Sequence, residues 1–216
     1  MKILAFTDIH GAVERVEGIL KRELACSAVI LGGDVTTNGT IKEAQDAVRR
    51  LQRFGKPVFA VAGNMDQPET DAAFEEIGAS INARGVMLDQ VGIFGVSASP
   101  FTPLHTPYEI SEEEIALRAH SGWKDIQSAR TTIFVPHAPP ANTMVDLLTN
   151  GNHVGSTAIR KFIEQHHPTV VVCGHIHEAR GIDTLGASKI INCGPAGKGY
   201  YAVITLGKEV LLEMKG

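Results

Sequence analysis

Asp8, His10, Asp34, Asn64, His137, His175 and His177 carry the chemistry this sequence can offer. They sit in five short motifs: Asp8-Ile9-His10, Gly33-Asp34, Gly63-Asn64-Met65-Asp66, an isolated His137, and Gly174-His175-Ile176-His177. Carboxylate and amide oxygens mixed with imidazole nitrogens suit a pair of divalent transition metals. Asp8 and His10 stand two residues apart, so on an extended segment both project to the same side, as do His175 and His177. Asp34 follows Gly32-Gly33, a pair that lets the backbone turn tightly, and a carboxylate there can bridge two ions. Two metals about 3.5–4 Å apart can share a water, bring its pKa down to roughly neutral and clamp the oxygens of a phosphate during in-line attack. The chemistry expected is phosphoester hydrolysis by a metal-bridging hydroxide. Two dications outweigh the charge of two aspartates, which favours an anionic substrate.

The elements that must position these residues are legible as apolar runs. Residues 2–6, 28–31 and 57–61 read as strands, with amphipathic helices over 13–23 and 41–54 between them. This βαβαβ order implies parallel pairing with right-handed crossovers. Residues 69–77 read as a short helix, 86–88 and 91–96 as strands, and 98–108 as a loop containing Pro100, Pro103 and Pro107. Residues 111–117 open a helix with a capping-box start, 131–135 form a strand leading to His137, and the loop 138–155 precedes a helix over 156–165. The strand 170–173 leads into the last histidine motif. Residues 188–192, 200–206 and 209–214 then read as strands with little room for helices, which predicts a meander in a second sheet. Each motif follows a strand, so a parallel sheet would bring all five to one edge.

Length and composition bound the answer. The 216 residues are read as one domain, 1–216, able to bury a sizeable core. With 20 basic and 24 acidic residues the net charge is −4, and no run of Lys or Arg tracks a predicted element, which argues against a nucleic-acid partner. The first apolar run stops at Thr7-Asp8, far short of a signal peptide's apolar region of about 7–15 residues. No segment approaches the roughly 20 apolar residues of a membrane span. Cys26, Cys173 and Cys193 are odd in number, widely spaced and set among apolar residues, as buried thiols in a reducing compartment are. The expectation is a soluble, cytoplasmic protein without a membrane partner; a homo-oligomer stays open.

The ordered motifs resemble the calcineurin-like metallophosphoesterases, whose series is Asp-x-His, Gly-Asp, Gly-Asn-His-Asp/Glu, His and Gly-His-x-His. The match runs from residue 8 to 177, and Asn192-Cys193-Gly194 resembles the family's usual ending. The resemblance implies an α/β fold, a four-layered αββα sandwich of two mixed β-sheets flanked by helices. It implies that Asp8, His10 and His177 bind one metal, that Asn64, His137 and His175 bind the other, and that Asp34 bridges them. Asp34 and Asn64 are thereby candidate catalytic residues. The cofactors implied are two divalent ions, with Mn, Fe, Zn, Ni and Co all compatible, and the partner is a small phosphorylated substrate such as a nucleotide.

The departure is Met65. In most of the family this position is a His that orients the phosphate and protonates the leaving group, and a thioether can do neither. The loss is about 10²- to 10⁴-fold on substrates with basic leaving groups if nothing replaces it. Gly151-Asn152-His153 also spells the missing motif, but it lies after His137 in a polar loop, so Asn64 is kept as the ligand. His153 and His105 are the candidate replacement proton donors. Asp66 reads equally as a residue fixing a neighbour of the metals and as a turn or helix-capping carboxylate before Pro68. His120, His166 and His167 fall on predicted helices with charged neighbours and read as solvated. Gly194–Gly199 lacks the spacing and Ser or Thr of a phosphate-binding loop, and Gly95-Val96-Ser97-Ala98-Ser99 lacks a nucleophile elbow's second glycine. The rival reading is a catalytically weak metal-binding scaffold or interaction protein of the same fold.

Overall fold

Fully apolar strands alternate with one-sided helices through the first third of the chain, and in the computed structural model, which describes residues 1–216, they pair as expected. Strand β1 (Lys2–Phe6) runs parallel to β2 (Ala28–Gly32), and β2 runs parallel to β3 (Val58–Val61). Helices α1 (Val13–Arg22), α2 (Ile41–Gln52) and α3 (Thr70–Glu76) follow these strands. Thr40 and Glu43 close a reciprocal capping box at the start of α2, satisfying amides that have no partner within the helix.

A second sheet begins with the antiparallel pair β4 (Gly85–Leu88) and β5 (Val91–Val96). The proline-containing segment that follows is pinned at its base by two short strands, β6 (Ser99–Pro100) and β7 (Glu109–Ile110). Helix α4 (Glu112–Lys124) starts on Ser111, whose hydroxyl accepts from Glu114 N at 3.2 Å. The Glu114 carboxylate bonds Arg118 Nε at 2.7 Å, so only half of the predicted capping box forms. β8 (Thr131–Pro136), α5 (Thr157–His166) and β9 (Val170–Cys173) complete the parallel centre of this sheet.

The C-terminal strands differ from the predicted meander. β10 (Gly181–Leu185), not predicted, pairs antiparallel with β11 (Ser188–Asn192), and β11 joins the second sheet parallel to β9. β12 (Tyr201–Leu206) crosses to the first sheet, antiparallel to β1, and β13 (Val210–Lys215) forms its edge. The crossing is made by residues 194–199, where Ala196 N bonds Thr7 O at 2.9 Å. Consecutive strands pair only about two-thirds of the time, and nothing in the strand residues themselves reveals the switch.

The resulting orders are β13-β12-β1-β2-β3 and β10-β11-β9-β8-β5-β4, both mixed. One apolar cluster lies between the sheets and includes Ile3, Ala5, Ile30 and Val61 with Ile93, Ile133, Val135 and Val172. The other face of the first sheet, Leu4, Phe6, Val29 and Leu31, packs on Val16, Leu20, Val48, Leu51 and Phe74 of its helices. Phe94, Phe134 and Val171 of the second sheet pack outward on Ile115, Ala119, Ile159 and Phe162 of α4 and α5. Four layers, αββα, follow. Strands buried on both faces explain the continuous apolar runs in place of alternation. The five motifs therefore sit on two sheets, not one: β1, β2 and β3 carry the first three, and β8 and β9 the last two. No helix is long and apolar enough to cross a membrane, and the three cysteines are free and buried.

Candidate metal centre

Beyond their paired ends the parallel strands of the first sheet stay stitched together. Asp8 N bonds Gly33 O at 3.0 Å, His10 N bonds Asp34 O at 2.9 Å and Gly11 N bonds Val35 O at 2.9 Å. The loops reach this register through left-handed backbone at Asp8 (φ 54°), His10 (49°) and Asp34 (49°), and His175 (65°) does the same on the second sheet. Such conformations in non-glycine residues are held by their surroundings and concentrate at functional sites. Gly33 (φ 98°) is required twice over, since a Cβ there would also run into the His137 ring.

The loops of the two sheets bring all seven predicted residues together. His10 Nε2 lies 3.3 Å from His177 Nε2, and His177 Nε2 lies 3.4 Å from Asp8 Oδ1. On the other side, Asn64 Oδ1 stands 2.9 Å from His137 Nε2 and 2.8 Å from His175 Nδ1. Asp34 lies between the two groups, with Oδ2 3.7 Å from His10 Nε2 and Oδ1 3.5 Å from His137 Nε2. Asp8, His10 and His177, and separately Asp8, Asp34 and His137, each place three donor atoms within one ion's reach. The far ring nitrogens are fixed: His137 Nδ1 donates to Gly32 O at 2.8 Å, and His10 Nδ1 meets Thr37 Oγ1 at 2.7 Å. A donated Nδ1 proton leaves the His137 Nε2 lone pair facing the centre.

Burial dominates the electrostatics. It pushes the Asp34 carboxyl up to about 7, against the pull of His137 and reinforced by the charges of Asp8 and Asp66. It also lowers His175 to about 3 and His10 below its usual value, keeping both rings neutral. Asp8 is the exception: burial opposes its ionisation, but the hydrogen bond from His177 and the nearby imidazoles hold it down at about 2. Its Oδ2 is buried with no hydrogen-bond partner. A buried carboxylate oxygen left unpaired is strongly unfavourable unless a cation satisfies it. Converging oxygen and neutral imidazole donors around such an orphan are chemically suited to divalent metal ions.

The remaining predicted residues lie apart. Asn152 belongs to the loop after His137, where its carbonyl accepts from Leu148 N at 2.9 Å. His153 Nδ1 bonds the buried Asp146 carboxylate at 2.7 Å, and His105 stands exposed in the proline-containing loop. Neither has a hydrogen bond to the seven. Met65 keeps a part in the centre through its backbone, its N donating to Asp34 Oδ1 at 2.8 Å. Asp66 caps no helix: it accepts from Val35 N, Thr36 N, Thr36 Oγ1 and Gly63 N at 2.8–3.0 Å, tying the second and third motifs.

Two residues that hold the centre were not visible to sequence reasoning as such. Thr37 orients His10, and its only signal was a hydroxyl in the loop after Asp34. Asn192 is buried and donates to Val145, Gly174 and Ile176 carbonyls at 2.9–3.3 Å, fixing the last histidine motif. His120 and His166, read as solvated, are half-buried against Phe162 and Trp123 at the α4–α5 contact; His167 is exposed as expected.

Known proteins share this fold. An uncharacterized protein of Methanocaldococcus jannaschii is 31% identical over 99% of this chain and 96% of its own. The solved structure of TT1561 of Thermus thermophilus superposes with a TM-score of 0.78 at 19% identity, covering 99% of this chain and 97% of that one. A dimetal phosphatase of Danio rerio gives a TM-score of 0.62 at 10% identity over 100% and 96% of the two chains. At these identities the structural likenesses establish the fold. The profile of the calcineurin-like phosphoesterases matches residues 1–179, and the chain belongs to that family.

Proposed function

We propose that this chain is a dinuclear metal-dependent phosphoesterase acting on a small phosphomonoester or phosphodiester. In this reading Asp8, His10 and His177 hold one divalent cation, Asn64, His137 and His175 hold the other, and Asp34 is shared. The observation that carries it is the Asp34 side chain, whose Oδ2 lies 3.7 Å from His10 Nε2 and whose Oδ1 lies 3.5 Å from His137 Nε2. The unpaired buried Oδ2 of Asp8 supports it. Bound there, two cations supply Lewis-acid polarisation of the phosphoryl oxygens and an acidified water as nucleophile. The dimetal phosphatase of Danio rerio has the same fold.

The chain's own residues do the positioning. Thr37 and the Gly32 carbonyl fix the rings of His10 and His137, Met65 N and Asp66 fix the loop carrying Asp34, and Asn192 fixes the loop carrying His175 and His177. Met65 offers the leaving group no proton. Of the two candidate substitutes His153 is the one whose ring is oriented, Asp146 holding Nδ1, whereas His105 has no side-chain hydrogen bond.

The test is hydrolysis of aryl phosphate mono- and diesters by purified protein supplied with Mn²⁺, Zn²⁺, Fe²⁺, Ni²⁺ or Mg²⁺. Turnover lost in Asp34→Asn and in His137→Ala is the expected result. The absence of the usual histidine at Met65 favours one second reading, a metal-binding scaffold, and metal uptake without hydrolysis of either ester class selects it.

A further inference from the structure

Outside the centre, one other pair of imidazoles meets ring nitrogen to ring nitrogen. His120 on α4 and His166 at the end of α5 bring their Nε2 atoms to 3.3 Å, with ring centroids 5.1 Å apart at 80°. His10 and His177 show nearly the same arrangement: 3.3 Å, 5.2 Å and 70°. A separation of about 3.3 Å is the edge of a tetrahedron around an ion with Zn–N bonds of about 2.0–2.1 Å. His120 Nδ1 lies 2.7 Å from Ala116 O, and a carbonyl can only accept, so that nitrogen carries the ring proton. The Nε2 lone pair of His120 is thereby left facing His166.

We propose that His120 and His166 form a second, non-catalytic transition-metal site that clips α4 to α5. Its ligand is a borderline cation of the Cu²⁺, Ni²⁺ or Zn²⁺ class, since imidazole nitrogens suit these ions and the pair offers no oxygen donor that would favour Mg²⁺ or Ca²⁺. Burial lowers the pKa of His166, with His120 adding to the effect, which keeps the ring neutral and able to ligate. A groove of about 320 Å³ between the two helices, lined by His120, Gln165, Lys161 and Glu112 among others, reaches the His120 side of the pair; His166 does not line it. Apolar rings pack against the pair: Phe162 lies 5.1 Å from the His120 ring and Trp123 5.2 Å from the His166 ring.

Trp123 is the chain's only tryptophan, so its fluorescence reports on this pair independently of phosphoester hydrolysis. Full-length protein preloaded with Mn²⁺ is titrated with Cu²⁺, a quencher, and then with Zn²⁺, which does not quench, as competitor. The expected result is saturable quenching, reversed by Zn²⁺ in large excess. His120→Gln and His166→Gln should each raise the midpoint about tenfold or more, with unchanged circular dichroism, while His10→Ala keeps it. Copper electron paramagnetic resonance should show coupling to two nitrogens in a folded variant with His10, His137, His175 and His177 all replaced by Ala, and lose it when His120→Gln is added. Unsaturable quenching, or quenching indifferent to both Gln variants, overturns the proposal and leaves the pair as an imidazole–imidazole hydrogen bond.

Discussion

Asp66 and Met65 are neighbours with opposite relations to the centre. The Asp66 side chain is fully buried and accepts from the backbone of two motif loops. Asp66→Ala strands buried amides at Val35, Thr36 and Gly63; a destabilisation of about 3 kcal/mol is expected in denaturant unfolding, with weaker metal retention. Met65 contributes its backbone and no titratable side chain. Met65→His should raise turnover on alkyl phosphate esters by about 10²-fold or more and leave p-nitrophenyl esters nearly unchanged, because a good leaving group needs no proton. Equal acceleration of both ester types would show that the histidine acts by binding instead. The seven residues of the cluster were legible because Asp, Asn and His recur after strand-like runs in a fixed order. The partners that orient them were not, since Thr37 and Asn192 reveal their roles only once separate loops meet.

At the scale of elements, the helices and most strands were readable from periodicity and from the cap at Ser111, while strand partners were not. Residues 188–192 and 201–206 both read as strands, yet they join different sheets because residues 194–199 carry the chain from one to the other. The segment 98–108 shows the same limit. It reads as a proline-rich loop, but Tyr108 N bonds Asn64 O at 3.0 Å, which seats it against the centre. Glu109 organises its turn by accepting from Thr102 N and Oγ1 and from Thr106 N and Oγ1 at 2.6–3.1 Å. Partial burial works against the charge, but these hydrogen bonds hold the Glu109 carboxyl at about 2, below its ordinary 4.5. A carboxyl with a lowered folded-state pKa stabilises the loop fully above about 4.5, and that contribution is lost as the pH falls toward 2. Amide exchange at Thr102 and Thr106 should therefore lose protection below pH 4.5, and Glu109→Gln should show the loss already at neutral pH. Protection unchanged in that variant would remove Glu109 as the organiser.

For the whole molecule, the centre lies where two sheets meet, so the proposed cation binding would be coupled to their packing. Loops from β1, β2 and β3 on one sheet and from β8 and β9 on the other supply the seven side chains. Cations that bind only the folded chain add stability by mass action, about 2.7 kcal/mol per site at one hundred times Kd. Removing metal with a chelator should lower the melting temperature by several degrees, and the drop should vanish in a variant lacking both Asp34 and His137. Phe134, fully buried between the second sheet and α5, is the contrast: Phe134→Ala should cost about 3–5 kcal/mol with or without metal. The proposed sharing of Asp34 by two cations fixes the metal content of each folded chain. Protein reconstituted with Mn²⁺ and freed of excess metal should hold two equivalents at this centre, measured with His120→Gln to exclude the α4–α5 pair, and Asp34→Asn should retain one or fewer. A single equivalent in the unmodified centre, or two equivalents retained by Asp34→Asn, would contradict it.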